Sequence, residues 1–373
     1  MTRLSTDEDS EEHKGEIEGY EQPSPGGWDG YPIDALSIRD ERRTAVDVVR
    51  RISTGRFVID PEFERGFVWD KTKQSRLIES ILMRIPLPVF YVAEDRDGKL
   101  IVVDGRQRLT TLKRFFDGDL VLDLRDRREL HGKKFKDIEY RLQNRAEDCQ
   151  LYFFIIDYQA PERARLDIFE RVNGGEVLTR QQMRNAIHSG PGTRFLRDEA
   201  ATLLFREATG NSLDEKKMQD REFVNRFCSF EMLPLDSYKG DMDDWLGRGL
   251  KSLGQLQEAD RQCVSVKFRR GLANNLAVFG KHSFRKIRSS DQRRNPINAA
   301  IFDVMMHTLC CVDEAILGEC RSAFYDAFNE LLSNDEFYSL ISSGRSTTME
   351  VRRRFEIAGA KLKEVLSAAV FTH

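Results

Sequence analysis

The sequence predicts an α+β chain: a mixed α/β N-terminal half followed by an all-helical C-terminal half. Three observations predict it. Apolar residues recur at helical spacing through residue 85, and β-rich runs then appear between Val89 and Ile156. From about residue 191 onward strand signals nearly vanish while helical patterns continue.

The elements follow in order. Thr44 with Asp47 opens a short apolar-periodic stretch through Val48, Val49 and Ile52, which Gly55 closes. Leu77, Ile78, Ile81, Leu82 and Ile85 mark a second helix from about Lys71, terminated by Pro86 and Pro88, which cannot continue the backbone ladder. Val89 to Ala93 and Lys99 to Val103 read as a hairpin around Asp97-Gly98. Asp104-Gly105-Arg106-Gln107-Arg108 then leads into a helix with Leu109, Leu112, Phe115 and Phe116 on one face and Gly118 at its end. Leu120 to Leu124 and Leu151 to Ile156 are expected strands, and Pro161 starts a helix stopped by Asn173-Gly174-Gly175. Thr179 with Gln182, and Thr347 with Glu350, form capping boxes, the second for the last helix of the helical half.

At 373 residues the chain is long enough for two packed units. The net charge of -3 hides an acidic opening: residues 1 to 22 hold eight carboxylates against Arg3 and Lys14. Followed by Pro23, Pro25, Gly26 and Gly27, this stretch cannot bury enough apolar surface to offset its ordering entropy, so residues 1–35 are expected to be a mobile, disordered arm. Six scattered cysteines without Cys-x-x-Cys pairs, no signal peptide and no apolar run of about 20 residues predict a soluble, cytoplasmic protein that does not enter membranes.

The chemistry sits at the strand-to-helix junction. A helix N-terminus presents unpaired N–H groups and partial positive charge, so a sharp strand-Gly-helix turn suits an anion such as phosphate. Arg106 and Arg108 fall in the first turn, where the macrodipole disfavours a cation by roughly 0.3–1 kcal/mol; a bound anion reverses that sign. Arg108 can offer a planar fork to phosphate, Gly105 lets backbone approach closely, and Asp104 can orient a water, hold a divalent ion or cap the helix. The plain alternative is Asp104 as an N-cap with both arginines solvated or paired.

Several stretches in order resemble one family. They are Arg65-Gly66-Phe67-Val68-Trp69; Leu77 to Leu82 with Ile85-Pro86-Leu87-Pro88; Val103 to Leu112; Phe169 to Gly175; and Leu178 to Asn185. Together they resemble the DGQQR-motif family found in GmrSD-type restriction systems, similar to the ParB and sulfiredoxin fold. The resemblance covers about residues 40 to 190. It implies a ParB/sulfiredoxin-like nucleotide-binding domain at 36–190, followed by a helical domain at 191–373, in a protein of defence against foreign DNA. It also implies a nucleoside triphosphate and magnesium as cofactors, with Asp104, Gln107 and Arg108 catalytic and Asp104 the metal residue. The sequence departs once from the motif, with Arg106 where the family usually has Gln. Met218 to Phe227 resembles the helical extension of many members.

Arg65 and Trp69 are expected to line the same pocket, with Arg171 and Asn173 completing it; a plug between helix and hairpin is the structural alternative for Trp69. Basic clusters at Lys267, Arg269 and Arg270 and at Arg285, Lys286 and Arg288 are expected DNA contacts if they share a face, and the acidic arm then a tethered DNA mimic. None of the six histidines sits in a His-Asn-His nuclease pattern, and His307 beside Cys310 and Cys311 reads as buried helix. The expected function is therefore a nucleotide-hydrolysing restriction protein acting on DNA, alone or with a nuclease or effector partner. A non-hydrolytic ParB-like switch and a nickase using the Asp104–Arg108 site are the alternatives.

Overall fold

The structure, a computed structural model, describes residues 15–20, 38–59, 69–161, 164–168, 179–287 and 294–370. The chain divides into two compact units, Trp28–Ile187 and Met1–Gly27 with His188–His373.

The first unit is mixed α/β. Its strands are β2 (Ile38–Thr44), β3 (Phe57–Val58), β4 (Phe90–Glu94), β5 (Leu100–Asp104) and β6 (Gln150–Ile156), in the order β2-β6-β4-β5-β3. β2 and β6 are antiparallel, β6 and β4 parallel, β4 and β5 an antiparallel hairpin, and β5 and β3 parallel. The hairpin turns at Asp95, whose carboxylate accepts from Asp97 and Lys99 N–H, with Gly98 at φ +74°. Helices α1 (Ala45–Ser53), α2 (Lys71–Leu82), α3 (Arg106–Phe116) and α4 (Tyr140–Glu147) accompany the sheet. Thr44 caps α1 and Asp70 caps α2, each accepting an N–H three residues on. One sheet face closes over Val48, Ile78, Phe90, Val102, Leu112 and Phe153. Part of the other, at Ala93, Val103 and Ile156, meets Leu166 in the helical stretch 164–168 and Met183 and Ile187 of α5 (Arg180–Ile187). Each fully buried side chain of this size contributes about 1.5–3 kcal/mol, so both faces are costly to expose.

The expected strand at Leu120–Leu124 is not a strand. Leu120, Leu122 and Leu124 are buried at alternate positions, which is what the pattern signalled. The backbone of this stretch bonds elsewhere: Asp123 N–H to Ser75 Oγ of α2, Leu124 N–H to His131 Nδ1, and Leu122 with Gly132 and Lys133. Alternation reports an extended chain on a core, not a ladder partner.

The second unit is helical, with nine helices among its described residues: α6 (Pro191–Ala200), α7 (Leu203–Thr209), α8 (Gln219–Met232), α9 (Met242–Gln255), α10 (Glu258–Phe279), α11 (Ala299–Leu309), α12 (Glu314–Ser333), α13 (Asp335–Ser342) and α14 (Thr348–Val370). Its core gathers Phe268, Leu272, Phe302, Met305, Phe324, Phe328 and Leu362. The capping pairs Thr179 with Gln182 and Thr347 with Glu350 are formed in both directions. Buried Asp303 accepts from Arg226 Nε and Nη2 at 2.8 and 2.6 Å and from Arg354 Nη2 at 3.2 Å, joining α8, α11 and α14.

Gly15–Tyr20, inside the stretch expected to be a mobile arm, instead docks on this unit. β1 (Ile17–Glu18) pairs in parallel with β7 (Ile297–Asn298), Glu18 holds Lys286, and Tyr20 donates to Glu222 at 3.0 Å. Ile17 and Tyr20 supply apolar contact to the helical core, and Gly19 lies so close that a Cβ would sit 2.6 Å from the Ile341 carbonyl oxygen. Composition averages over the segment and hides these anchors. No helix among the described residues is long and apolar enough to cross a membrane.

Candidate functional site

The motif occupies the turn from β5 into α3. Gly105 is the N-cap, at φ +94°, a left-handed conformation natural to glycine. A Cβ there would lie 2.2 Å from Phe90 Cδ1, so conformation and packing both demand glycine. α3 begins with no side-chain cap and no acidic residue in its first turn, leaving its positive end uncompensated by either. Asp104 is therefore not the cap. Its Oδ2 accepts from Arg108 Nη2 at 2.9 Å, and about a third of its side chain is exposed.

Arg108 lies nearly buried across the Phe90 ring, its guanidinium carbon 4.3 Å from the centroid. Nη1 donates to the Pro88 carbonyl and Nη2 to the Val89 carbonyl at 3.2 Å. Burial pulls its pKa below the ordinary arginine value, with Asp104 opposing. The fork expected to grip phosphate is thus given to Asp104 and the backbone entering β4. The reason is topological: β4 and β5 are antiparallel, so the start of β4 lies beside the end of β5. Pro88, Val89 and Phe90 are the residues that single-residue reasoning missed. The Ile85-Pro86-Leu87-Pro88 run was their signal, because a proline-rich entry to a strand leaves carbonyls that a neighbouring donor can take.

Arg106 and Gln107 are half-buried in the first turn of α3, where the Gln107 carbonyl accepts from Thr111 Oγ1 at 2.7 Å. Trp69, just before the cap of α2, packs against the main core of its unit and receives the Lys73 ammonium 4.9 Å above its ring. Arg65, Arg171 and Asn173 lie outside the described residues. Among the described residues no group of three or more His, Cys, Asp or Glu is placed to hold a metal; a magnesium ion at Asp104 would have to bring phosphate and water as its other ligands.

The expected basic DNA surface needs correction. Arg285 and Lys286 are 1% and 5% exposed. Arg285 donates to the Thr209 carbonyl at 2.7 Å, Ser212 Oγ at 2.8 Å and the Asn295 carbonyl, and burial lowers its pKa to about 9. Lys286 is held by Glu18 and Ser342. Lys267 pairs with Glu231, Arg270 with Asp313, and Arg269 grips Glu199 through two bonds of 2.9 Å. A run of cations in sequence says nothing of the carboxylates that helix packing brings to it. Arg288 lies outside the described residues. His307, expected in buried helix, is instead exposed on α11, with 46% of its side chain accessible, beside the buried Cys310 and the exposed Cys311.

No curated protein and no solved structure matches the chain, so the ParB/sulfiredoxin likeness rests on the motifs alone. Residues 46–189 match the family model described as GmrSD restriction endonuclease, N-terminal domain. That span holds β3 to β6, the whole Asp104–Arg108 turn and the capping pair at Thr179. The stretch 46–189 is thus similar to the N-terminal domain of GmrSD-type restriction endonucleases.

Proposed function

We propose that the turn at Asp104–Arg108 binds the phosphates of a nucleoside triphosphate and hydrolyses it, within a restriction-type defence directed at foreign DNA. The observation that carries this is the start of α3: an uncapped helix N-terminus, opened by a glycine with no room for a side chain, directly after a partly exposed carboxylate. In this reading the first-turn N–H groups and Arg106 hold phosphate oxygens, and Gln107 orients the attacking water. Asp104 would hold magnesium through its outer oxygen; when bound, the ion neutralises charge between adjacent phosphates. Arg108 is a positioning residue, fixing Asp104 and the Pro88–Val89 backbone around the turn.

The test is phosphate release from ATP, GTP, CTP and UTP with magnesium, with and without DNA, for wild type, Asp104→Ala, Arg106→Ala and Arg108→Lys. Turnover lost in Asp104→Ala while triphosphate affinity survives supports hydrolysis. Absence of both turnover and binding in the wild type sinks the proposal.

One observation favours a second reading, a ligand switch without important turnover. Because three of the five Arg108 N–H groups are engaged with protein oxygens, a nucleotide that takes its Nη1–Nη2 fork displaces Pro88 and Val89, which couples binding to movement of β4. Tight binding without phosphate release, accompanied by changed proteolysis between residues 86 and 104, would select the switch. Cleavage of DNA would then belong to a nuclease partner.

A further inference from the structure

We infer that the uncovered part of the second sheet face of the α/β unit is a base-stacking platform for single-stranded nucleic acid, separate from the triphosphate turn. Paired residues on neighbouring strands share a face. By register, Arg42 of β2 stands opposite Tyr152 of β6, Asp40 opposite Phe154, and Phe154 opposite Tyr91 of β4. These five residues therefore form one contiguous surface, on the face where Ala93 and Ile156 are covered by 164–168 and α5. Among the described residues the covering packs against Tyr91 at its edge and leaves Tyr152 and Arg42 exposed. Tyr152 is 42% exposed, and Phe154 and Tyr91 are half-buried with ring centroids 5.4 Å apart. On the opposite face of the same strands Phe90 and Phe153 are at most 1% exposed. One side of the sheet is thus a core, and the other holds an aromatic row open to solvent.

The charge on this row names its occupant. Of the three arginines in β2, Arg39 is bonded to Glu94 and Arg43 to Glu41. Arg42 has no carboxylate partner among the described residues, and its guanidinium instead lies 4.9 Å from the Tyr152 ring centroid. An exposed ring with an uncommitted cation beside it suits a planar base followed by a phosphate. Asp40, next along the same face, can accept from a base amino group, an acceptor that a lipid or an acidic peptide would not use. A duplex keeps its base faces stacked internally, so only an unpaired strand can use the row. The platform begins beside the motif, since Tyr91 pairs in register with Asp104. A strand lying on it would end where the proposed phosphate turn starts.

The test uses the full chain and a fluorescein-labelled single strand of about 12 nucleotides, a length within the site sizes of such surfaces, with its duplex as comparison, read by anisotropy at low salt. Tyr152→Ala is expected to weaken single-strand affinity by about 5- to 100-fold and Tyr152→Phe by less than about twofold. Arg42→Ala should weaken binding and flatten its salt dependence, since one phosphate contact is lost. Both altered side chains are exposed, so melting should not change. Asp104→Ala is expected to leave strand affinity intact, so the triphosphate reading and this one fail separately. The inference is overturned if the wild type binds no single strand, if Tyr152→Ala binds as tightly as wild type, or if the duplex binds better through the same residues. It is equally overturned if Tyr152→Ala instead dissolves a dimer seen by light scattering, which would make the row a contact between copies.

Discussion

Replacing Asp303 with Asn keeps the volume of the side chain and removes its charge, so no cavity contributes to the outcome. The carboxylate is 0% exposed, with Arg226 at 4% and Arg354 at 1%, and it takes three guanidinium hydrogen bonds. For Arg226 burial pulls the pKa down, but Asp303 overcomes it and the pKa stands above the ordinary value. For Arg354 burial wins, and the neighbouring Arg226 adds to it. Without Asp303 two buried cations face one another, with Glu222 3.9 Å from Arg226 and Glu350 acting on Arg354 as the weaker remaining carboxylates. Breaking a buried pair from one side costs about 3–5 kcal/mol. With a urea m-value of roughly 3 kcal/mol per molar, the unfolding midpoint of the helical unit should fall by between about 1 and 1.7 M. Trp245 is wholly buried in this unit, and its fluorescence in a background with Trp28 and Trp69 changed to Phe reports that unit alone. A fall under about 0.3 M would mean that the arginines reach water and that the network is not buried in solution. A second variant separates charge from packing. Asp303→Leu with Arg226→Met and Arg354→Met removes all three charges and should be more stable than Asp303→Asn alone.

Gly105→Ala should destabilise the α/β unit by about 2–3 kcal/mol, because a left-handed alanine costs about 1–2 kcal/mol and its Cβ meets Phe90; adding Phe90→Leu should recover part of the loss in a Trp69-monitored melt. Asp220, at the start of α8, has its pKa raised by burial from 3.8 to about 6, so the folded state binds its proton more tightly than the unfolded one. Its contribution is full below pH about 4 and is lost as pH rises through 6, so Asp220→Asn should stabilise the helical unit at pH 7 and leave it unchanged at pH 3.5, as denaturation at the two pH values would show. Arg106→Gln removes a first-turn cation, so ligand-free stability should rise by about 0.3–1 kcal/mol while triphosphate affinity falls by about tenfold or more; calorimetry showing both quantities moving in the same direction would refute a phosphate role for Arg106.

The local signals in the sequence were reliable where they were local in cause. The capping pairs at Thr179 and Thr347, the Asp97-Gly98 hairpin and the glycine at the head of the motif helix each depend on residues a few positions apart. β2 was invisible for the opposite reason. Its sequence, Ile38-Arg39-Asp40-Glu41-Arg42-Arg43-Thr44, has almost no apolar alternation, because an edge strand needs only one hydrogen-bonded neighbour and its charges keep the other edge from pairing. Its place in the sheet is fixed by β6, more than a hundred residues away in sequence.

The same distinction explains why charge was the least legible property. Sequence reading assigns Lys and Arg to the surface, yet Arg285, Lys286, Arg226 and Arg354 are buried, each bonded to oxygens that only the folded topology supplies. Arg108 shows what this means for a motif. Its spacing from Asp104 places the pair one helical turn apart, which the sequence displays, but the Pro88 and Val89 carbonyls arrive from the other hairpin strand. A motif arginine can thus build a site without touching the ligand. The useful signal is whether its donors are already taken, and on that measure Arg42, an unremarked residue of an edge strand, is the better candidate for phosphate than Lys267, Arg269 or Arg270.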